Sequence, residues 1–353
     1  LYPMTTLQLR ITEITQLPGN NVFIQFEPVN GLSPNYEAGQ FLTVLFQVNN
    51  KEIRRSYSIC SSPAINEPLS IAVKLVENGE ISKYLHHKTA VGDILTVLPP
   101  TGIFTYTPVP TIKRTVFLFA AGVGITPVYS ILKTALLQEQ NSKIVLIYSN
   151  RSATTTLFYE ELNQWQKDYP ERFKLIYLFS DSKNLQFARL NSFAFHDLYN
   201  SNIQYDQSDA LCYTCGPIDY MVMCRISLLG LGFRMDQIKK ETYFIPEDEA
   251  DDDDMTEKVI KDKNTYTVIL EFNKNVYQLE VPWYKRILEV ALAHNINVPY
   301  SCGAGICSSC VASCTEGNVR MDYNEVLTDE EIAAGRVLIC TGHPTQNNTK
   351  IVI

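Results

Sequence analysis

Five of the nine cysteines in this 353-residue chain lie beyond position 301, and four of them are spaced as few folds allow. Cys302-Gly-Ala-Gly-Ile-Cys307-Ser-Ser-Cys310 crowds three thiols onto one loop, and Cys340 follows 30 positions later. Four thiolates can surround two irons only if such a loop winds tightly about the inorganic core. Gly303 and Gly305 permit that backbone, and the small Ala304, Ser308 and Ser309 let amide N–H groups approach the sulfurs. A zinc knuckle or buried free thiols are the competing readings, but zinc usually draws its ligands from two similar short pairs. The spacing favours a [2Fe–2S] cluster on Cys302, Cys307, Cys310 and Cys340. Cys314 is left over and reads as a small apolar packing residue.

The length exceeds what one hydrophobic core usually supports, so two or three domains are expected. Nine cysteines are too few for a disulfide scaffold of this size. No apolar run reaches the roughly 18 residues of a membrane span, which argues against an integral membrane segment. The formal charge of −8 offers no basic field for phosphates, so nucleic acid is not an expected partner. The chain opens without a basic stretch followed by an apolar run, and a cytoplasmic location is expected.

Residues 7 to 100 carry six short apolar or alternating runs separated by turn clusters, the rhythm of a small antiparallel β-barrel. From Arg114 strands alternate with helices, as in a parallel α/β sheet. Glu247 to Asp254 then holds seven carboxylates in eight residues, a composition that cannot bury apolar surface and reads as a solvated tether. A hairpin, a short helix from Ile287 and the cysteine loop follow, with Thr328-Asp-Glu-Glu331 as a capping box before the strand expected to carry Cys340. The expected layout is a barrel over 1–107, an α/β domain over 108–245, an acidic linker over 246–262 and a small α+β, β-grasp-like module over 263–353.

Four further motifs carry chemistry. Arg55-Ser-Tyr57-Ser58 ends a strand and Gly79-Glu-Ile-Ser82 opens a helix. A flavin needs a cation and amide donors for its pyrophosphate, an aromatic face and a donor near N5. Arg55, the helix start at Gly79 and Ser82, Tyr57 and Ser58 could supply these; an exposed Arg and a packed Tyr on an ordinary strand is the alternative. Gly122-Val-Gly124-Ile-Thr126-Pro127 joins a strand to a helix, with Thr126 as N-cap and Pro127 as first helical residue, where glycines let phosphate approach. The next strand ends in Asn150-Arg151, where an NAD-specific site would place an acid. Arg151 there favours a 2′-phosphate, hence NADPH, though a solvated surface Arg fits as well. Cys212-Tyr-Thr-Cys215-Gly216-Pro217 ends what reads as the last parallel strand. A redox dithiol is one reading; the other sets Cys215 beside a nicotinamide at the sheet's carboxyl edge.

In this order, the motifs of residues 5 to 245 resemble the ferredoxin–NADP reductase superfamily. The resemblance implies an FAD barrel followed by an NAD(P)H domain. Glu241-Thr-Tyr243 is similar to that family's closing Glu-x-aromatic element, which implies Glu241 near hydride transfer and Tyr243 near the flavin or nicotinamide. Residues 263 to 353 resemble plant-type ferredoxins, with one departure: Gly303 stands where many members carry a basic or bulkier residue. As a whole the chain resembles reductase components of bacterial multicomponent oxygenases, with the arrangement of the phenylacetyl-CoA epoxygenase and ketosteroid hydroxylase reductases.

The expected activity is an NAD(P)H-dependent oxidoreductase that passes electrons through FAD and the cluster to a terminal oxygenase. Ser58, Cys215 and Glu241 are expected at the reaction zone; Arg55, Tyr57, Gly79, Ser82 and Tyr243 about the flavin; and Gly122, Gly124, Thr126, Arg151, Gly216 and Pro217 about the nicotinamide dinucleotide. A general reductase serving a desaturase or haem protein, or a nucleotide-sensing metal protein without catalysis, are the alternatives.

Overall fold

The computed structural model describes residues 6–48, 51–184, 188–243 and 263–353, which fall into two compact units, Thr6–Thr242 and a second containing 263–353. The acidic linker expected over 246–262 lies outside the described residues. In the first unit β1 (Leu7–Leu17), β2 (Asn21–Pro28), β3 (Phe41–Val48), β4 (Lys51–Ser58), β5 (Leu69–Lys74) and β6 (Ile94–Thr101) form one antiparallel sheet in the order β4-β3-β6-β1-β2-β5. A bridge between Ile59 and Ile71 brings the two edge strands together and closes the barrel. Alternation decides which side chains go in: Leu9 and Ile11 are buried while Gln8 and Arg10 face out. They join Val22, Ile24, Leu42 and Val97 in the interior, each contributing roughly 1.5–3 kcal/mol on burial. Helix α1 (Glu80–His87) packs Ile81 and Leu85 against this core.

The parallel sheet runs β11 (Ile238–Glu241), β10 (Leu211–Cys215), β7 (Thr115–Ala121), β8 (Lys143–Asn150), β9 (Phe173–Phe179). Helices α2 (Ile125–Gln138) and α3 (Tyr159–Asp168) cover one face, α4 (Ser192–Asn202) and α5 (Ile218–Gly230) the other. β7 shows why both faces are apolar: Val116, Leu118 and Ala120 join the α2 core while Phe117 and Phe119 join the α4–α5 core. The chain builds outward from β7 to β8 and β9, then returns to add β10 and β11 on its other side. That reversal leaves a switch point between the carboxyl ends of β7 and β10, where open α/β sheets take ligands.

The second unit has a five-stranded mixed sheet in the order β13 (Asn275–Pro282), β12 (Thr265–Phe272), β18 (Thr349–Val352), β14 (Val311–Glu316), β16 (Arg336–Leu338), with a small pair, β15 (Val319–Met321) and β17 (Gly342–Pro344). Helix α6 (Ile287–Ala293) packs Ile287, Leu288, Val290 and Ala291 into its core. Helix α7 (Asp329–Ala333) starts on the expected box: Glu331 N donates to Thr328 Oγ1 at 3.2 Å and Thr328 N to the Glu331 carboxylate at 2.8 Å.

Three local expectations change. Helix α2 begins at Ile125, after a 3₁₀ turn at Gly122–Gly124, so Thr126 and Pro127 are second and third residues rather than cap and first. Cys340 sits in the turn between β16 and β17, not on a strand. And β10 is not the last parallel strand, because β11 pairs beyond it. The four-residue run Ile-Lys-Lys-Glu has no apolar alternation to mark it as a strand.

Candidate functional site

The switch point is closed by backbone packing. The 3₁₀ turn after β7 folds back with Gly122 at φ +55°, a conformation that disfavours any side chain. The next glycine meets β10: a Cβ on Gly124 would lie 2.2 Å from the Cys215 carbonyl oxygen and 2.8 Å from Gly216 N. A Cβ on Gly216 would lie 2.9 Å from Ala121 Cβ, whereas one on Gly122 would meet nothing within 4 Å. The turn is therefore tight against protein on one side and open on the other, a cradle a phosphate can enter. Tyr148, fully buried on β8, donates its hydroxyl to Gly122 O at 3.0 Å and fixes the turn. Sequence reading passed over this residue; the signal was a single phenol directly after the aliphatic run 144–147, which needs a buried acceptor.

Three expected residues meet at this edge. The β10–β11 register pairs Cys215 with Glu241. Ser58, at the end of β4 and 3% exposed, donates to the Glu241 carboxylate at 3.2 Å across 183 positions of chain. Cys215 is fully buried. Cys212 lies on the opposite face of the sheet, in the α4–α5 core with Cys224, so the C-x-x-C pair does not form a facing dithiol. Burial first, and then Cys224, pushes the Cys212 thiol well up, as suits a packing residue. Thr126 is buried and its hydroxyl bonds Val123 O at 3.0 Å; Pro217 caps α5.

Nearby, the Ser149 and Tyr220 hydroxyls are buried beside one another and the Asn150 amide nitrogen is buried beside Tyr148, with none of the three in a well-formed hydrogen bond. Polar groups gathered and imperfectly satisfied at a strand end fit a polar nucleotide better than an empty one. Arg151, just past β8, is exposed, and Tyr243, two residues beyond Glu241, is 40% exposed. On the barrel, Arg55 is exposed, with one guanidinium nitrogen on Arg54 O at 2.8 Å. Tyr57 packs partly into the barrel core; burial raises its phenol and Arg55 opposes the rise. Gly79 caps α1 with no side-chain bond. The Ser82 hydroxyl is engaged inside the turn, accepting from Val76 N at 3.1 Å and donating to Gly79 O at 3.2 Å. The backbone N–H groups at the start of α1 and the exposed Arg55 cation are donors of the kinds a flavin pyrophosphate takes.

In the second unit the cysteine loop has the winding its glycines suggest. Gly303 and Gly305 have φ +67° and +77°, and Ser308, at +59°, adopts the same conformation although it is not glycine. A Cβ on Gly305 would lie 2.7 Å from Tyr323 O, so that position must stay bare. Backbone amides point at sulfur: Cys302 N to Cys307 Sγ at 3.3 Å, Ala304 N to Cys302 Sγ at 3.3 Å and Ile306 N to Cys302 Sγ at 3.5 Å. Cys302 and Cys307 are half-buried, Cys310 and Cys340 are buried, and the four thiols lie in one run of contacts, from Cys307 to Cys302 to Cys340 to Cys310. The crowding disfavours thiolate. The hydrogen bond to Cys302, then burial, raises the Cys307 thiol; for Cys340, contact with Cys302 lowers it, but Cys310 and burial prevail and it rises to about 12. Among the described residues no three metal-binding side chains converge as ligands of a single ion would. Four thiols gathered in one cluster, short of a countercharge, fit a cationic two-iron core.

Three family models match the chain: the oxidoreductase FAD-binding domain over residues 8–106, the oxidoreductase NAD-binding domain over 118–225 and the 2Fe-2S iron-sulfur cluster binding domain over 271–345. The 3-ketosteroid-9-alpha-monooxygenase ferredoxin reductase component of Rhodococcus rhodochrous is 33% identical over 319 residues, 90% of this chain and 87% of that protein. One of the subunits of the 1,2-phenylacetyl-CoA epoxidase of Escherichia coli K12 is 30% identical over 354 residues, 99% of this chain and 98% of that protein. Phthalate dioxygenase reductase shares the fold with a TM-score of 0.61 at 24% identity, over 98% of this chain and 97% of that one. Among the described residues no helix is long and apolar enough to cross a membrane.

Proposed function

The chain belongs to the family of oxygenase reductase components that join an FAD-binding, an NAD-binding and a 2Fe-2S domain, and from that membership we propose that it carries electrons from NADPH to an external oxygenase of the phenylacetyl-CoA epoxidase type. The observation that carries the reading is the meeting of Ser58, Cys215 and Glu241, from three distant parts of the chain, at the switch point. FAD, when bound, takes the two electrons of a hydride together and releases them singly, and a [2Fe–2S] cluster carries one at a time.

The side chains then have distinct tasks. Arg55, Gly79 and the α1 turn organised by Ser82 hold the flavin pyrophosphate, while Tyr57 and Tyr243 supply aromatic faces. Ser58 keeps its proton aimed at the Glu241 carboxylate, which fixes the hydroxyl where the hydride arrives. Cys215, fully buried, excludes water from that point. Gly122, Gly124, Thr126, Gly216 and Pro217 shape the dinucleotide cradle, and Arg151 takes the 2′-phosphate, since β8 ends without a carboxylate to repel it. Cys302, Cys307, Cys310 and Cys340 hold the cluster. The functional boundaries follow as 1–107, 108–245, 246–262 and 263–353. None of the nine cysteines is joined in a disulfide, as suits a reducing cytoplasm.

Cys340→Ser tests the electron order. It should abolish reduction of the protein acceptor while NADPH-to-ferricyanide activity, served by the flavin, stays near wild type. Equal loss of both activities contradicts the order.

A further inference from the structure

Between β4 and β5 the chain makes a loop that no cofactor role accounts for. Its polar atoms turn toward α2. Ser61 and Ser62 are essentially fully buried. Ser130 Oγ on α2 donates to Ser61 O at 2.6 Å, and the Ser62 and Thr134 hydroxyls lie 2.7 Å apart. Thr134 gives its proton to Ser130 O at 2.9 Å and Ser62 accepts from Ala64 N at 3.1 Å, so the proton between the two hydroxyls comes from Ser62. At the centre Lys133, 4% exposed, reaches out of α2 to the Glu67 carboxylate at 2.5 Å, with its ammonium 4.5 Å above the Tyr129 ring. The same Glu67 oxygen accepts from Ser62 N at 2.6 Å. Burying an ammonium this deeply is costly unless it is paired, and an apolar side chain would pack here at lower cost. What an apolar contact lacks is direction: it can slide, whereas these hydrogen bonds fix one register.

The two elements joined are informative. The loop follows Ser58 directly, and α2 follows Gly124 directly. Each end of the clasp is thus nine positions along the chain from one of the two groups that must meet for hydride transfer, Glu67 from Ser58 and Lys133 from Gly124. We propose that Lys133 is a positioning residue for that transfer, its ion pair with Glu67 setting the approach of the nicotinamide turn to the flavin strand. The inference rests on the assignment of FAD to β4 and NADPH to the Gly122–Gly124 turn.

The test uses the full-length holoprotein and four forms: wild type, Lys133→Met, Glu67→Gln and the double variant. Flavin bleaching by NADPH and by its 4-deuterated form is followed by stopped flow, alongside FAD content, NADPH affinity and melting temperature. Lys133→Met leaves Glu67, whose side chain is 29% exposed and can rehydrate, so this variant should fold and keep its FAD. Glu67→Gln strands a buried ammonium and should melt lower. Both single variants should slow hydride transfer about 10-fold or more, since misplacements of the order of 1 Å cost up to about 100-fold. NADPH affinity should change less than about 2-fold, and the double variant should be no slower than the worse single one. A purely structural clasp would lower the melting temperature and leave the hydride-transfer rate at the wild-type value, and that result overturns the proposal. Failure of the wild-type flavin to bleach with NADPH would instead overturn the assignment on which it rests.

Discussion

Gly124→Ala is the substitution whose effect the geometry specifies best. Gly124 has φ −60°, so alanine meets no backbone strain there; the obstacle is space. Its Cβ would lie 2.2 Å from the Cys215 carbonyl oxygen, where ordinary contact begins at 3.4 Å, and the obstacle is backbone rather than a side chain that can rotate away. The start of α2 and the end of β10 must therefore separate by about 1 Å. Overpacking of this kind costs roughly 1–3 kcal/mol, and a rigid neighbour puts the cost at the upper end. In a unit of this size that lowers the melting temperature by about 6–10 °C. A shift of about 1 Å in the cradle should also slow hydride transfer by up to about 100-fold. Gly122→Ala is the control. Its Cβ meets nothing within 4 Å, so it carries only left-handed strain of about 1 kcal/mol, while its methyl occupies the face a phosphate approaches. It should raise KM for NADPH about 10-fold with kcat nearly unchanged. Thermal melts and stopped-flow flavin bleaching separate the two. Wild-type melting and kinetics for Gly124→Ala would refute the packing argument and the cradle with it.

Arg151→Ala should raise KM for NADPH about 10-fold or more and leave that for NADH within about 2-fold; an unchanged preference in steady-state assays rejects Arg151 as the 2′-phosphate ligand. Asp322, in the cysteine-bearing unit, gives a pH signature. Burial pushes its carboxyl up, but hydrogen bonds from His343 at 2.8 Å and Arg320 at 2.5 Å prevail and hold it below the ordinary range. A depressed carboxyl contributes stability above its unfolded value of about 3.9, and that contribution is lost as pH falls through the folded value. Acid titration followed by cluster absorbance should therefore show wild type losing stability more steeply than Asp322→Asn below about pH 4. The side chain is 34% exposed, so solvent screening keeps the difference below about 1 kcal/mol. Parallel acid limbs would show that Asp322 contributes nothing there.

How legible the fold was depended on the range of each signal. The six barrel strands were legible because alternation along one strand, as at Leu9 and Ile11, is a local pattern with one buried face. The β7–α2 junction was legible in kind but not in its start, because a 3₁₀ turn built on Gly122–Gly124 uses the same residues as a helix cap. β11 was missed because Ile238-Lys-Lys-Glu241 is a strand only through its pairing with β10, a tertiary fact. For the site, the cysteine spacing marked the four thiols that the fold gathers, yet Ser308 in a left-handed conformation could not be anticipated from a residue that seldom adopts it. The Lys133–Glu67 clasp spans 66 positions and has no motif, so only coordinates could bring it into view.

The most direct test of the electron path is an anaerobic titration of the purified full-length protein with NADPH, followed by visible absorbance. Bleaching of both flavin and iron–sulfur bands is expected, complete at about one and a half equivalents of NADPH, two electrons for FAD and one for the cluster. Flavin bleaching that leaves the cluster oxidised, or no flavin and iron–sulfur bands at all, would contradict the account.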